Sequence, residues 1–130
     1  MTNWIEFIVN SQPIKAIYGD CTPSLENVEV YSILFNRDGP TVSIKINLNE
    51  YPVKPPKKWE VQKFNTVQIV LSFSEVKSIN MSGWVYTNYS MDLMVSKRNE
   101  LISLSAKNND FEINLESGFV DVDSISAYLK

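Results

Sequence analysis

Alternation of apolar and polar residues, repeated along most of the chain, constrains this sequence more than any other feature. Residues 41–48 show it most clearly, with apolar side chains at Val42, Ile44, Ile46 and Leu48. Successive residues of a β-strand point to opposite faces, so a period of two places these side chains on one face. The segment therefore predicts a strand with one buried and one solvated face.

Strand signals recur at turn-punctuated intervals through the rest of the chain. Val28–Asn36 is rich in β-branched and aromatic residues, and the Arg-Asp-Gly-Pro sequence at 37–40 is a strong turn signal after it. Further strand segments follow at residues 66–74, 76–81, 91–96, 102–106, 111–116 and 118–122. We therefore expect a mostly antiparallel β-sheet of about eight short strands, beginning with a hairpin.

Two segments depart from this period. Before residue 20, apolar residues recur at near-helical spacing on both sides of Pro13, and Gly19 is placed to end a helix. Residues 51–59 contain three prolines, which cannot lie inside a sheet, and Tyr51 and Trp59 bracket them. We expect an α+β domain whose short amino-terminal helices pack on one sheet face, with an ordered excursion at 51–59.

Size and cysteine content favour one small intracellular domain. The chain has 130 residues, which suits a single domain over residues 1–130. Cys21 is its one cysteine and can close no intrachain disulfide, which points to a reducing cytoplasm. No segment approaches the ~20 apolar residues that span a bilayer, and residues 1–10 lack the basic start of a secretory signal. We expect a cytoplasmic location and no membrane partner.

The residue types that most enzymes use are missing from the chain. It contains no histidine, so the commonest general base and zinc ligand are absent. Its four glycines are scattered and form neither of the glycine-rich phosphate-binding motifs. Asp121 and Asp123 have the spacing of an exposed strand face, and the glycine and distal glutamate of a calcium loop are missing. We expect no enzyme activity, no cofactor and no metal site.

Charge is distributed unevenly along the chain. The net charge is −3, whereas nucleic-acid-binding domains are usually basic, so we expect no nucleic-acid partner. Lysines dominate residues 54–63, and acidic residues dominate from Glu100 onward. Either both regions are ordinary solvated surfaces, or the acidic end faces a basic partner.

The candidate binding residues follow from the second interpretation. They are acidic residues of the carboxy-terminal third and aromatic residues of one loop, namely Trp84, Tyr86, Tyr89, Glu112, Glu116, Asp121 and Asp123. Aromatic side chains anchor many protein interfaces, and complementary charge speeds association. Burial in the core is the alternative role for Trp84, and the lysine-rich residues 52–63 are the rival surface.

Several segments resemble one known family, in the same order along the chain. Residues 23–30 and 36–42, which include the Arg-Asp-Gly-Pro turn, are similar to the opening hairpin of the immunity protein 50 family. The blocks at residues 55–59, 64–69 and 111–128 resemble later parts of that family. The resemblance implies a cytoplasmic antitoxin of a bacterial polymorphic-toxin system, which binds a toxin domain encoded beside it and carries no catalytic motif. An acidic inhibitor suits a basic toxin such as a nuclease.

Two other classes of protein fit the same sequence pattern. Alternating strands can enclose an apolar cavity, which would make the chain a small-ligand-binding β-barrel. The chain could also be a structural module of a larger complex. A deep apolar pocket would favour the ligand-binding barrel, whereas a toxin gene beside its own gene would favour the immunity protein.

Overall fold

The computed structural model describes residues 3–83 and 90–130, and in them six antiparallel strands form a closed barrel. The strands are β1 (Val28–Asn36), β2 (Thr41–Asn47), β3 (Thr66–Ser82), β4 (Ser90–Arg98), β5 (Leu101–Lys107) and β6 (Glu112–Tyr128). Their order around the barrel is β1-β2-β3-β6-β5-β4. A 3₁₀ turn (Trp4–Phe7) and two short helices, α1 (Gln12–Tyr18) and α2 (Lys57–Val61), complete the described elements. The prediction of a mostly antiparallel sheet with short helices is confirmed.

The predicted number of strands is wrong, because two pairs of expected strands are continuous. The segments at 66–74 and 76–81 belong to β3, and those at 111–116 and 118–122 belong to β6, which begins one residue later, at Glu112. Both strands are kinked where the segments join: Glu75 of β3 has a positive φ of 53°, and the alternation of β6 shifts at Gly118, so that Ser117 and Val120 are both buried. In the sequence, such a kink interrupts the alternation and looks like the end of a strand. In the structure, β3 and β6 remain paired on both sides of it.

The kink at Gly118 changes which side chains of β6 face the barrel interior. The inward-facing, buried residues are Ile113, Leu115 and Ser117 before the kink and Val120 and Val122 after it. An unbroken alternation would have turned Phe119 and Asp121 inward. The shift therefore moves both of these side chains to the outer face of the barrel.

Apolar side chains fill the barrel interior. The largest fully buried side chains of the strands include Phe73, Ile44, Ile46, Ile69, Leu71 and Leu104. Complete burial of one such side chain stabilises the folded state by roughly 1.5–3 kcal/mol, so the interior is a hydrophobic core. This packing gives no support to the interpretation as a small-ligand-binding barrel.

The amino-terminal segment covers the side of the barrel where β6 runs past β5. β6 pairs with β3 along its length but with β5 only over residues 112–117. Beyond these residues, Ile8 forms a parallel bridge with Val120. Trp4 is 6% exposed, and its indole N–H donates to the carbonyl oxygen of Pro23 at 2.8 Å. The 3₁₀ turn thus packs against β4 and β6, and α1 packs against β6.

The excursion at residues 51–59 leaves the sheet and packs through its two aromatic residues. The ring centroids of Tyr51 and Trp59 lie 6.4 Å apart, and Trp59 is half-buried. Helix α2 begins within this segment, with Lys57 and Lys58 exposed at its start. No helix within residues 3–83 and 90–130 has the length and apolar character needed to cross a membrane.

Candidate functional site

The outer face of β6 brings together the four acidic residues that the sequence singled out. Glu112, Glu116 and Asp123 are exposed, and Asp121 is half-buried. β6 carries no lysine or arginine. At ~3.3 Å per residue, the four carboxylates extend over roughly 35 Å of the strand. They therefore form an acidic stripe, Glu112 to Asp123, and not a compact cluster.

Small hydroxyl side chains flank the acidic stripe on both sides. The residues opposite it include Ser72, Ser74 and Ser78 in β3 and Ser103 and Ser105 in β5. Residues directly opposite each other in antiparallel strands share a face, so these serines lie on the outer face as well. Because serine is short, the longer side chains of β6 project beyond their neighbours. Lys107 is a basic neighbour at one end of the stripe, opposite Glu112.

Asp121 differs from the other carboxylates of the stripe because it holds the amino-terminal segment in place. Its Oδ1 accepts a hydrogen bond from the backbone N–H of Asn10 at 3.1 Å and another from Val122 at 2.9 Å. Glu116, in contrast, accepts a 3.4 Å hydrogen bond from the exposed hydroxyl of Ser78. From the sequence, Asp121 is predicted only as a binding residue, because its hydrogen bond with Asn10 joins residues 111 positions apart in the chain.

Two apolar residues of this face were not identified from the sequence. Phe119 is 50% exposed within the acidic stripe, and Val9 is 66% exposed. The backbone N–H of Val9 donates to the carbonyl oxygen of Val120 at 3.0 Å, which places Val9 next to β6. Gly118 was the sequence signal that could have identified Phe119, since a glycine inside a strand often marks a bulge that turns the neighbouring side chains to the other face.

The predicted aromatic residues of the binding loop, Trp84, Tyr86 and Tyr89, lie outside the described residues. The chain on either side of them approaches the turn that leads into β6. A Cβ added to Gly83 would lie 1.7 Å from the backbone carbonyl oxygen of Asp110. The side-chain amide of Asn108 donates to the carbonyl oxygen of Ser90 at 3.4 Å. Both flanks therefore lie near the Glu112 end of the acidic stripe.

A polar network lies at the opposite end of β6. Asn47 is 2% exposed, and its side-chain amide donates to Glu29 at 3.1 Å and to the hydroxyl of Tyr128 at 2.5 Å. Its side-chain oxygen accepts from Gln68 at 3.1 Å. Lys130 forms a salt bridge with Glu29. This hydrogen bond from Lys130 lowers the pKa of the Glu29 carboxyl and raises the pKa of the Lys130 ammonium.

A cleft of about 260 Å³ opens beside this network. Its polar lining includes Asn27, Asn47, Asn49 and Asn65 together with Glu29 and Lys130. Cofactor and drug-like ligand sites are predominantly apolar, so this cleft does not have their character. Among the residues that the structure describes, no group of three or more His, Cys, Asp or Glu side chains could hold a metal ion.

Strand β1 carries two further exposed apolar side chains, which lie on opposite faces of the strand. Leu34 is 66% exposed and Phe35 is 48% exposed. Phe35 is opposite the buried Val42, so its side chain lies on the interior side of β1. The lysines of α2 and, separately, the exposed apolar side chains of β1 are the alternatives to the outer face of β6 as contact surfaces.

Among known protein families, the one described as Immunity protein 50 has a model that matches residues 10–128. No curated protein and no solved structure matches the chain. The matched span includes all six described strands and the whole acidic stripe. The resemblance found in the sequence is confirmed.

Proposed function

The chain belongs to the immunity protein 50 family, and from this premise we propose that it is a single-domain cytoplasmic immunity protein of a bacterial polymorphic-toxin system. In this role it binds a cognate toxin domain encoded beside it and neutralises that domain in the cell that makes both. The family match over residues 10–128 carries the proposal, because it extends across the entire barrel.

The chain has no histidine, the commonest catalytic base, and neutralisation of a toxin by binding requires none. A protein inhibitor needs complementary shape and charge together with apolar contacts, and it needs no reacting group. The outer face of β6 offers exposed carboxylates and an exposed phenylalanine, Phe119. The protein is accordingly proposed to be an inhibitor and not an enzyme.

The proposed toxin contact lies on the outer face of β6. Its acidic residues are Glu112, Glu116, Asp121 and Asp123, and Trp84, Tyr86 and Tyr89 are added on sequence grounds. Four carboxylates on a strand without a basic residue favour a basic partner. A toxin that acts on nucleic acid, such as a nuclease, is basic where it binds phosphate.

Bacterial growth tests the proposed function. The carboxy-terminal domain of the toxin encoded beside this chain should stop growth when it is produced alone. Co-production of the chain should restore growth, and the two purified proteins should elute as one complex from a size-exclusion column. Growth arrest that persists while the folded chain is present, with no complex formed, would overturn the proposal.

Charge reversal at Glu112 and Glu116 tests the proposed surface. The double change Glu112→Lys and Glu116→Lys should slow association with this toxin domain by roughly tenfold or more at low salt, because complementary charge steers the encounter. The effect should shrink as ionic strength rises above about 0.15 M. Stopped-flow fluorescence measures both rates. Asp121 is left unchanged, since its carboxylate also bonds to Asn10.

The matched control reverses two exposed charges of the rival surface. Lys57→Glu with Lys58→Glu in α2 should leave the association rate constant within about twofold of the wild-type value. If the α2 changes abolish association and the β6 changes have no effect, the toxin contacts the α2 excursion and the assignment to β6 is wrong.

A further inference from the structure

An apolar patch interrupts the acidic stripe of β6. Phe119 immediately precedes Val120 in the strand, and Val9 donates its backbone N–H to the carbonyl oxygen of Val120. The side chains of Phe119 and Val9 are 50% and 66% exposed. Segments that lie far apart in the sequence thus place two exposed apolar side chains next to the same buried residue, Val120.

The fold turns Phe119 outward through a specific local arrangement. Ser117 is completely buried on the interior side of β6, and its hydroxyl donates to the carbonyl oxygen of Phe119 at 3.2 Å. The residue opposite Phe119 is Ser74, whose short side chain covers little of the ring. The exposed half of the ring contributes nothing to the core. Aromatic side chains such as phenylalanine are enriched at the centre of protein–protein contact sites.

The charges around this patch decide which kind of partner fits it. Glu116, Asp121 and Asp123 lie along the same face, and β6 has no basic residue. A second copy of this chain would bring carboxylates against carboxylates in a symmetric contact. The negative surface of an anionic membrane would repel the same carboxylates. A basic protein surface with an apolar recess would complement both the carboxylates and the exposed ring of Phe119.

We propose that Phe119 and Val9 are the apolar anchors of the toxin-binding face, and that they insert into a recess surrounded by basic residues of the toxin domain. This inference rests on the proposed function and adds the residues that keep the complex together. Buried apolar anchors mainly slow dissociation, whereas charges at the rim mainly speed association. The anchors and the acidic stripe therefore have separate kinetic signatures.

Dissociation of the toxin domain encoded beside this chain tests the anchor assignment. Phe119→Ala should raise the dissociation rate constant about tenfold or more while the association rate constant stays within about twofold. The matched control is Phe35→Ala, which removes a ring of similar exposure, 48%, from β1. It should leave the dissociation rate constant within about twofold. Surface plasmon resonance with the full chain immobilised measures both constants.

Two changes at Val9 keep the test decisive even if Phe119→Ala weakens folding. Val9→Lys places a positive charge against the basic rim of the recess and should raise the dissociation rate constant about tenfold. Val9→Glu places a charge of the opposite sign at the same position and should dissociate clearly more slowly than Val9→Lys. Val9 is 66% exposed, so both variants should fold normally, which circular dichroism verifies.

The outcomes separate this inference from the proposed function. If the wild-type chain does not bind the toxin domain, the proposed function fails. If the wild type binds and both Phe119→Ala and Val9→Lys dissociate at the wild-type rate, the function stands and the anchor assignment fails. Faster dissociation of Phe35→Ala alone would place the contact on β1.

Discussion

At the scale of single residues, Asn47 shows how a polar side chain is accommodated inside the packed wall of the barrel. It is 2% exposed, and its amide bonds to Glu29, Tyr128 and Gln68. A buried amide without partners would destabilise the fold by about 1–3 kcal/mol, so these hydrogen bonds make its burial tolerable. Through Glu29 the network reaches Lys130, which ties the end of β6 to β1 and β2.

The Glu29–Lys130 pair predicts a dependence of stability on pH. The hydrogen bond from Lys130 holds the pKa of Glu29 below its ordinary value of 4.5. The resulting stabilisation is present above pH 4.5 and is lost as the pH falls through the lowered folded-state pKa. Lys130→Met should therefore lower the free energy of unfolding at neutral pH by up to about 1 kcal/mol, as for other partly exposed ion pairs. This difference from the wild type should shrink as the pH falls below 4.5.

Urea denaturation at neutral and acidic pH measures this effect. The control is Lys45→Met, which removes an exposed lysine from β2 and should show no such pH-dependent difference. A Lys130→Met difference that stays constant down to strongly acidic pH would mean that the pairing with ionised Glu29 does not stabilise the fold.

At the scale of elements, the kinks in β3 and β6 decide what the outer face of the barrel presents. Each strand has 17 residues, about three times the usual length, and must bend to remain in a small barrel. A Cβ added to Gly118 would lie 3.1 Å from the Cβ of Glu75, so the two strands approach closely at the kink. The same kink turns Phe119 outward and so creates the apolar patch.

Two glycines, one just after β3 and one in the turn between β1 and β2, provide a matched test of backbone constraint. Gly83 and Gly39 have φ values of +77° and +67°, in the left-handed region where another residue type costs about 1–2 kcal/mol. At Gly83 an added Cβ would also lie 1.7 Å from the carbonyl oxygen of Asp110, whereas nothing lies within 4 Å at Gly39. Gly83→Ala should therefore lower the free energy of unfolding clearly more than Gly39→Ala. If urea denaturation shows equal losses of unfolding free energy for the two variants, the turn at Asp110 moves to accommodate the added methyl group without strain.

At the scale of the whole molecule, the barrel depends on a segment that is not part of its strands. Its buried residues are Trp4, Ile5, Ile8, Ile14 and Tyr18, and they belong to the same hydrophobic core as the strand residues. The hydroxyl of Tyr18 also donates to the backbone carbonyl oxygen of Glu50 at 2.7 Å. Because the strands share their core with this segment, we expect the two to unfold together.

Removing the tryptophan ring tests this dependence. Trp4→Ala should destabilise the protein by roughly 3–5 kcal/mol, because it removes a buried ring and its hydrogen bond to Pro23. Val9→Ala, at an exposed position nearby, should change stability by less than about 0.5 kcal/mol. Unfolding midpoints in urea compare the two variants. Similar midpoints would mean that the amino-terminal segment contributes little to the core.

Features that depend on near neighbours could be predicted from the sequence alone. Alternation identified the strand segments, because adjacent residues of a strand point to opposite faces whatever the partner strand is. Pro13 and Gly19 correctly marked the limits of α1, since each restricts the backbone at its own position. The family was recognised from local blocks of residues, and its match covers residues 10–128.

Features that depend on distant partners were decided by the tertiary structure. β3 and β6 each continue through a kink because they pair with each other, which no local period reveals. The outward orientation of Phe119 follows from that kink. The Asp121 carboxylate accepts a hydrogen bond from the backbone of Asn10, which is 111 positions away in the chain. Such contacts form only when the chain closes into a barrel, and the register of the paired strands then selects the exposed face. The acidic residues of the proposed binding face could therefore be chosen from the sequence, whereas its apolar centre could not.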